Sequence, residues 1–165
     1  LAEAPSHNAG AIRTAFGKMV RRLCEGQARD MAFETADGVT IDEYLQMIDG
    51  KTGALLACCL ECGALAAGAS VDSAANMHRA GVELGRAFQI QDDILDIEGE
   101  THEIGKPSGS DQKLDKATYP ALFGVAASRA RCDELLQSAL AQLVCCKQES
   151  GLLEWLARFI VERRT

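Results

Sequence analysis

Aromatic residues are scarce, 5% of the chain, while alanine is abundant, a balance that favours close-packed helices over a β-sandwich. A basic surplus is lacking too: the formal net charge is −7, which argues against nucleic acid as a partner. The deficit leaves room for an anionic small molecule, because a bound divalent cation reverses the sign locally. Alternation of β type longer than a few residues, internal repeats and low-complexity segments are all missing. Residues 53–71 come nearest to the roughly 20 apolar residues that a membrane-spanning helix needs. Glu61 interrupts them, and their Ala, Gly and Cys content is weakly hydrophobic, so they read as a buried core helix. Residues 1–22 have no continuous apolar core and end in Arg21-Arg22, unlike a secretory signal. At 165 residues, one domain is the default.

Cysteine is present, but in an odd number, seven, which fits no disulfide framework. Cys58 and Cys62 are one helical turn apart and invite a zinc reading. No complementary Cys or His pair stands at zinc-finger spacing, and the neighbours are Leu and Ala. They read instead as small core hydrophobes. His7, His78 and His102 lie far apart in sequence and receive no role.

What the chain does have is an acidic cluster. Residues 85–96 run Gly-Arg-Ala-Phe-Gln-Ile-Gln-Asp-Asp-Ile-Leu-Asp, in a helical pattern without proline. Gln89, Asp92, Asp93 and Asp96 stand at i, i+3, i+4 and i+7 and share one side of the helix. Three carboxylates so close repel one another. A hard divalent cation relieves the conflict, and Mg²⁺ is commonly shared with substrate phosphates. Taken alone, the pentapeptide reads as a solvated helix end.

The residues that follow change this reading. Residues 99–116 are polar, glycine-punctuated and aperiodic, which predicts a surface loop after the acidic helix. Lys106, Lys113 and Lys116 would fold back over the acidic turn, where an ammonium group suits a diphosphate. Lys51-Thr52 adds a cation and a hydroxyl at the glycine-flanked stretch Asp49-Gly-Lys-Thr-Gly53. It is no P-loop, since the upstream glycine and the preceding apolar strand are absent.

The remaining pattern is helical throughout. A first helix spans residues 9–34, with Ile12, Ala15, Phe16, Met19, Val20 and Leu23 as its apolar stripe. Thr40 and Glu43 form a capping box that starts a second helix, interrupted at residues 50–53 and continuing to about Gly68. Asp72 or Ser73 caps the next, which stops before Gly99. Gly81 and Gly85 stand at GxxxG spacing; with Arg79, Glu83 and Arg86 beside them they indicate close packing in water rather than lipid. Residues 119–146 form one helix with Pro120 in its first turn, and a last helix follows Gly151. The chain is read as an all-α helical bundle.

In order along the chain, Gly26-Gln-Ala-Arg-Asp30, Lys51-Thr52-Gly-Ala-Leu, residues 87–96, Gly105-Lys106, Gly109-Ser-Asp111 and Lys116-Ala-Thr-Tyr-Pro120 resemble the motifs of trans-isoprenyl diphosphate synthases of the farnesyl and geranylgeranyl type. The resemblance implies a partial isoprenoid-synthase fold, with residues 1–165 as the C-terminal portion of a single all-α domain whose N-terminal portion is absent. It implies Mg²⁺-dependent condensation of an allylic diphosphate with isopentenyl diphosphate. It assigns the metal to Asp92, Asp93 and Asp96, the diphosphate to Lys51, Thr52, Phe88, Gln89, Lys106 and Lys116, and supporting roles to Gln27, Asp30 and Asp111. Lys51, Thr52, Gln89 and Asp92 would be closest to the chemistry.

The resemblance also exposes a gap. The family's first aspartate-rich motif and its paired arginines have no match: Asp37, Asp42-Glu43 and Asp49 are scattered, and Arg21-Arg22 follows no acidic cluster. The start at Leu1 fits a fragment or a processed product, and prenyl transfer by residues 1–165 alone is not expected. A homodimer is implied, in the cytoplasm or, after removal of a transit peptide, in an organelle stroma or matrix. The competing reading is a non-catalytic subunit or pseudoenzyme that dimerises with an active synthase. A terpene cyclase fits less well, because its usual second metal motif is not seen. The terminal Arg163-Arg164 reads as a frayed, solvated tail.

Overall fold

The structure, a computed structural model, describes residues 7–36, 38–104, 118–144 and 151–163, with backbone only for 99–104. Among these residues the regular structure is entirely helical: α1 Ala9–Phe33, α2 Ile41–Ile48, α3 Ala54–Ala66, α4 Val71–Ile104, α5 Tyr119–Phe123, α6 Val125–Val144 and α7 Gly151–Glu162. No described helix is long and apolar enough to cross a membrane.

Helix α4 is the axis of the bundle. Its one side carries Met77, Leu84, Ile90 and Ile94, buried against Cys132, Leu135, Leu136, Leu140 and Leu143 of α6 and Ala157, Ile160 and Val161 of α7. Its other side is glycine. A Cβ at Gly81 would stand 2.4 Å from Ala57 Cα, and one at Gly85 would stand 2.4 Å from Gly53 Cα. The GxxxG spacing therefore marks close backbone contact, as the sequence suggests. Two smaller clusters complete the interior: Met19 with Ala54 and Cys58, and Tyr44 with Met47 and Ile48.

The capping box forms as read. Glu43 N–H donates to Thr40 Oγ1 at 3.3 Å, and Thr40 N–H donates to Glu43 Oε2 at 2.9 Å. Residues 49–53, expected to interrupt the helix, instead form a π-helical turn, Asp49–Gly53, that joins α2 to α3 without a break. Such a turn absorbs one extra residue inside a continuous helix, so neither glycine ends it. The cap of α4 is Ser70, whose Oγ accepts from Ser73 N–H at 3.2 Å, rather than Asp72 or Ser73. Nor does α4 stop before Gly99; it continues to Ile104. A lone helix glycine costs only about 0.5–1 kcal/mol relative to alanine. The loop expected over 99–116 thus begins as helix.

The single helix expected over residues 119–146 is two. Thr118 caps α5, with Ala121 N–H donating to its Oγ1 at 3.3 Å, and Gly124 turns the chain at φ 81° before α6. That left-handed backbone is costly for residues with a Cβ. Ser128 Oγ then donates to Gly124 O at 2.8 Å and secures the break. The stripe read on α1 splits as well. Ala15 and Met19 are buried, but Phe16 and Val20 face outward at 57% and 43% exposure.

Candidate functional site

The acidic turn lies in the second half of α4. Successive residues of an α-helix are rotated by about 100°, so Asp92 and Asp93 cannot point the same way. Gln89 and Asp96 lie between them, and the two aspartates leave the helix on opposite flanks. Each meets a different element.

Asp93 turns toward α2. Its Oδ2 accepts from the Tyr44 hydroxyl at 2.6 Å, and its Oδ1 accepts from Gln89 Nε2 at 3.4 Å. Gln89 Oε1 accepts in turn from Thr52 Oγ1 at 3.3 Å. A chain of polar contacts thus runs from the π turn to α4 and on to α2. Burial pushes the Asp93 carboxyl above the usual carboxylate range, against the hydrogen bonds from Tyr44 and Gln89, and Asp96 and Asp92 push it further. The Tyr44 hydroxyl is raised as well, by burial first and then by the Asp93 charge. It remains a donor at neutral pH.

Lys51 stands on the π turn and faces α1, where its Nζ donates to Asp30 Oδ2 at 2.7 Å. Gly26 makes this approach feasible, since a Cβ there would stand 2.2 Å from Lys51 N and 2.6 Å from Gly50 C. On the same turn Asp49 accepts two bonds from Arg86 of α4, at 2.6 and 2.7 Å. That fork raises the Arg86 pKa through its hydrogen bond to Asp49. The π turn is therefore pinned to α1 by Lys51–Asp30 and to α4 by Asp49–Arg86 and Thr52–Gln89.

Asp92 turns the other way, toward the end of α7. Its Oδ1 accepts from Arg163 Nη2, and the same guanidinium lies 4.2 Å above the Phe88 ring. Arg163 Nη2 also approaches Phe88 O at 3.5 Å. The expectation of a frayed tail fails here: the Arg163 side chain is 17% exposed and tied to the acidic helix. Arg164 lies outside the described residues.

The first half of the expected site is thus assembled: Lys51, Thr52, Phe88, Gln89, Asp92 and Asp93 stand around one stretch of α4, with Asp30 behind Lys51. Asp96 is exposed on the same helix, and Gln27 is exposed on α1. Lys106, Asp111, Lys113 and Lys116 lie outside the described residues. Sequence reasoning missed Tyr44, Asp49 and Arg86. Tyr44 carries a general signal, because a buried tyrosine hydroxyl usually finds a partner, but nothing near it in sequence names Asp93.

Among the described residues no three His, Cys, Asp or Glu side chains converge on one metal position. The donor chemistry nevertheless suits a hard cation. Three carboxylates and an amide oxygen occupy two turns of one helix, and Asp93 is raised by burial first and then by the charges of Asp96 and Asp92. Mg²⁺ is usually held by one or two carboxylates and completed by water and phosphate oxygens, so no closed cage is needed. Zinc on the cysteines fares worse. Cys58 Sγ lies 3.6 Å from Cys62 Sγ, and burial and then Cys62 push the Cys58 thiol up to about 12. It stays a neutral core thiol at neutral pH.

Comparison with known proteins agrees with this architecture. The profile of the polyprenyl synthetase family matches residues 3–150. The chain is 37% identical over 153 residues to the farnesyl diphosphate synthase of Haemophilus influenzae, covering 92% of this chain and 51% of that protein. It is 39% identical over 145 residues to the farnesyl diphosphate synthase of Escherichia coli, covering 86% and 48%. Among solved structures, an FPP/GFPP synthase of Zymomonas mobilis superposes with a TM-score of 0.80 at 29% identity, over 95% of this chain and 52% of that one. The geranylgeranyl pyrophosphate synthetase of Pyrococcus horikoshii gives 0.77 at 27%, over 98% and 61%. The chain spans about half the length of the curated relatives it matches, in their C-terminal part. The fold is the all-α fold of these synthases, and the chain belongs to the polyprenyl synthetase family.

Proposed function

We propose that this chain supplies the diphosphate- and metal-holding half of a trans-prenyltransferase that condenses an allylic diphosphate with isopentenyl diphosphate. One observation carries the reading: Thr52 of the Lys-Thr turn donates to Gln89 of the acidic helix at 3.3 Å. Two motifs 37 residues apart thereby meet, a hydroxyl of the Lys-Thr turn against an amide of the acidic helix. The turn also carries a cation and the helix a set of carboxylates, and a charged leaving group needs both.

Mg²⁺, held at Asp92 and Asp96 with Asp93 in support, would stabilise the negative charge that builds on the departing diphosphate. The chain's own groups do the rest. Lys51 presents its ammonium to the diphosphate, and Asp30 fixes the direction of that side chain. Tyr44 and Gln89 hold Asp93 in one orientation, so the neighbouring carboxylates need little rearrangement as charge develops. Thr52 orients the Gln89 amide, and Phe88 provides an apolar wall beside Asp92. Lys106 and Lys116, with Asp111 in support, would close over the diphosphate from the segment that follows.

In this reading residues 1–165 are the C-terminal portion of one all-α domain, and the first aspartate-rich motif comes from the remaining portion that the longer relatives possess. Two copies pair, and the reaction runs in the cytoplasm or in an organelle stroma or matrix.

The test is a prenyl-transfer assay of the full protein with Mg²⁺, an allylic diphosphate and isopentenyl diphosphate, comparing wild type with Asp92→Ala and Lys51→Ala. Each change should lower kcat by about a hundredfold or more, the typical loss when one electrostatic stabiliser is removed. Equal rates would refute the assignment. Diphosphate binding without turnover in the wild type would favour the non-catalytic subunit.

A further inference from the structure

Outside the acidic turn, a set of soft donors lies in the seam where α1 meets α3. Cys58 and Cys62 stand one turn apart on α3, with their sulfurs 3.6 Å from each other. Cys58 is 5% exposed and packs in one cluster with Ala54 and with Met19 of α1, bordered by Leu23 and Cys62. Cys62 is half-buried, which gives the pair a side open to solvent, and its Sγ–H donates to Ile12 O at 3.9 Å. Two thiols and a thioether residue thus belong to one packed cluster shared by two helices.

Geometry separates three uses of such a pair. A disulfide needs Cβ atoms about 3.5–4.5 Å apart, whereas residues i and i+4 of an intact helix hold theirs about 5–6 Å apart. Oxidation would therefore have to open α3. Zinc takes a closed set of four ligands in a structural site, and Leu23 and Ala54 beside the pair supply none. A soft ion such as Cu(I) is selected by thiolate and thioether sulfur and tolerates a low coordination number. With metal–sulfur bonds of about 2.3 Å, two thiolates stand about 4.6 Å apart in a linear complex and about 3.8–4.0 Å apart in a bent one. The 3.6 Å seen here is close to the bent arrangement, which takes a third ligand, and Met19 is the soft donor at hand.

We propose that Cys58, Cys62 and Met19 form a site for one soft monovalent cation of the Cu(I) class, and that the bound ion pins α1 to α3. This site is independent of the acidic turn, where oxygen donors suit a hard ion instead. In the free protein Cys58 is a thiol, pushed up to about 12 by burial first and then by Cys62, Cys59 and Glu61. Cys62 donates a hydrogen bond to Ile12 O, so it too carries its proton. Binding is therefore an exchange: Cu⁺ and two thiols give a Cu(I) dithiolate of net charge −1, and two protons leave to solvent. The neutral thioether of Met19 completes the shell without adding charge.

The test is anaerobic competition for Cu(I) between the full, reduced protein and the indicator bicinchoninate, read from the indicator's visible absorbance. The wild type should take up one equivalent that a variant carrying both Cys58→Ala and Cys62→Ala does not. Each single change should weaken uptake by more than the roughly 10–100-fold that follows loss of an outer-shell partner, and Met19→Leu, which keeps the volume, by roughly tenfold. Should Cys58→Ala fail to fold by circular dichroism, Cys62→Ala, at the half-buried position, gives the same comparison. Cys24→Ala and Cys59→Ala remove exposed thiols of the same two helices and should bind as the wild type does. Two protons should leave per ion, counted by calorimetry in buffers of different ionisation enthalpy. Cu(I) should raise Tm in the wild type and not in the double variant, and excess Zn²⁺ should not displace it.

Equal uptake by the wild type and the double variant would overturn the site. So would loss of the equivalent in Cys59→Ala, which would put the ion on exposed thiols. Release of one proton would refute the dithiol, and displacement by Zn²⁺ would refute the soft class. Unchanged affinity in Met19→Leu would remove the third ligand, and with it the link to α1.

Discussion

The two sides of α4 are built on opposite principles. Toward α6 and α7 the contact is made by bulky aliphatic side chains, with Ile90 and Ile94 fully buried against residues such as Leu135 and Leu143. Toward α3 and the π turn it is made by the absence of side chains, with Gly81 and Gly85 lying on the backbone of Ala57 and Gly53. The aliphatic side provides burial, the dominant favourable contribution to folding. The glycine side fixes distance and register, because backbone atoms cannot shift as side-chain ends do. Gln89 stands four residues after Gly85 on the same side of α4, and Thr52 precedes Gly53 in the π turn. The contact that joins the Lys-Thr turn to the acidic helix is therefore set by glycine packing, and the opposite side only holds the helix steady.

This contrast is open to test, and the largest effect belongs to the aliphatic side. Ile90→Ala removes a fully buried side chain and should cost about 3–4 kcal/mol in urea-induced unfolding, in the usual range for such cavities. Prenyl transfer per folded molecule should change little. A cost below about 1 kcal/mol would mean that this side collapses freely, and the contrast would lose one half.

Next is Gly85→Ala. The added methyl would meet Gly53 Cα at 2.4 Å, Gly53 N at 2.9 Å and Thr52 C at 3.3 Å. Overpacking typically costs about 1–3 kcal/mol, less than the cavity. The function should suffer more than in Ile90→Ala, because the π turn must retreat and take Thr52 away from Gln89. If Ile90→Ala harms prenyl transfer more than Gly85→Ala does, the division between a stabilising and a positioning side is wrong.

The contrast also explains what the sequence made legible. Periodicity was sufficient for the existence of α1, α2 and α4, though not for either end of α4 or for the whole stripe of α1, and the motif order placed Lys51, Thr52, Gln89 and the aspartates together. Composition cannot show a π turn, since Asp49–Gly53 looks like any glycine-flanked break until the backbone is seen to continue. Gly99 and Gly124 illustrate the same difficulty from both directions. The first stays inside α4, and the second, at φ 81°, divides α5 from α6. Nothing local distinguishes them. Helical spacing grouped Asp92 with Asp93, yet their partners, Arg163 and Tyr44, lie 71 and 49 residues away. Which flank of a helix meets which element is a tertiary fact.

The smallest effect separates a glycine that positions from one that does not. Gly17 and Gly26 share α1, nine residues apart, yet nothing stands within 4 Å of a Cβ built at Gly17, whereas one at Gly26 would lie 2.2 Å from Lys51 N. At an open site in a long helix, alanine restricts the unfolded chain and strengthens the helix. Gly17→Ala should therefore raise stability by about 0.5–1 kcal/mol, or roughly 1–4 °C in Tm for a chain of this size. Gly26→Ala should move Tm the other way, because α1 must part from the π turn and Lys51 from Asp30. The same methyl on one helix then has opposite signs, decided solely by what the helix faces. Two shifts of equal sign in differential scanning calorimetry would show that helix propensity, not backbone approach, governs the glycines of this bundle.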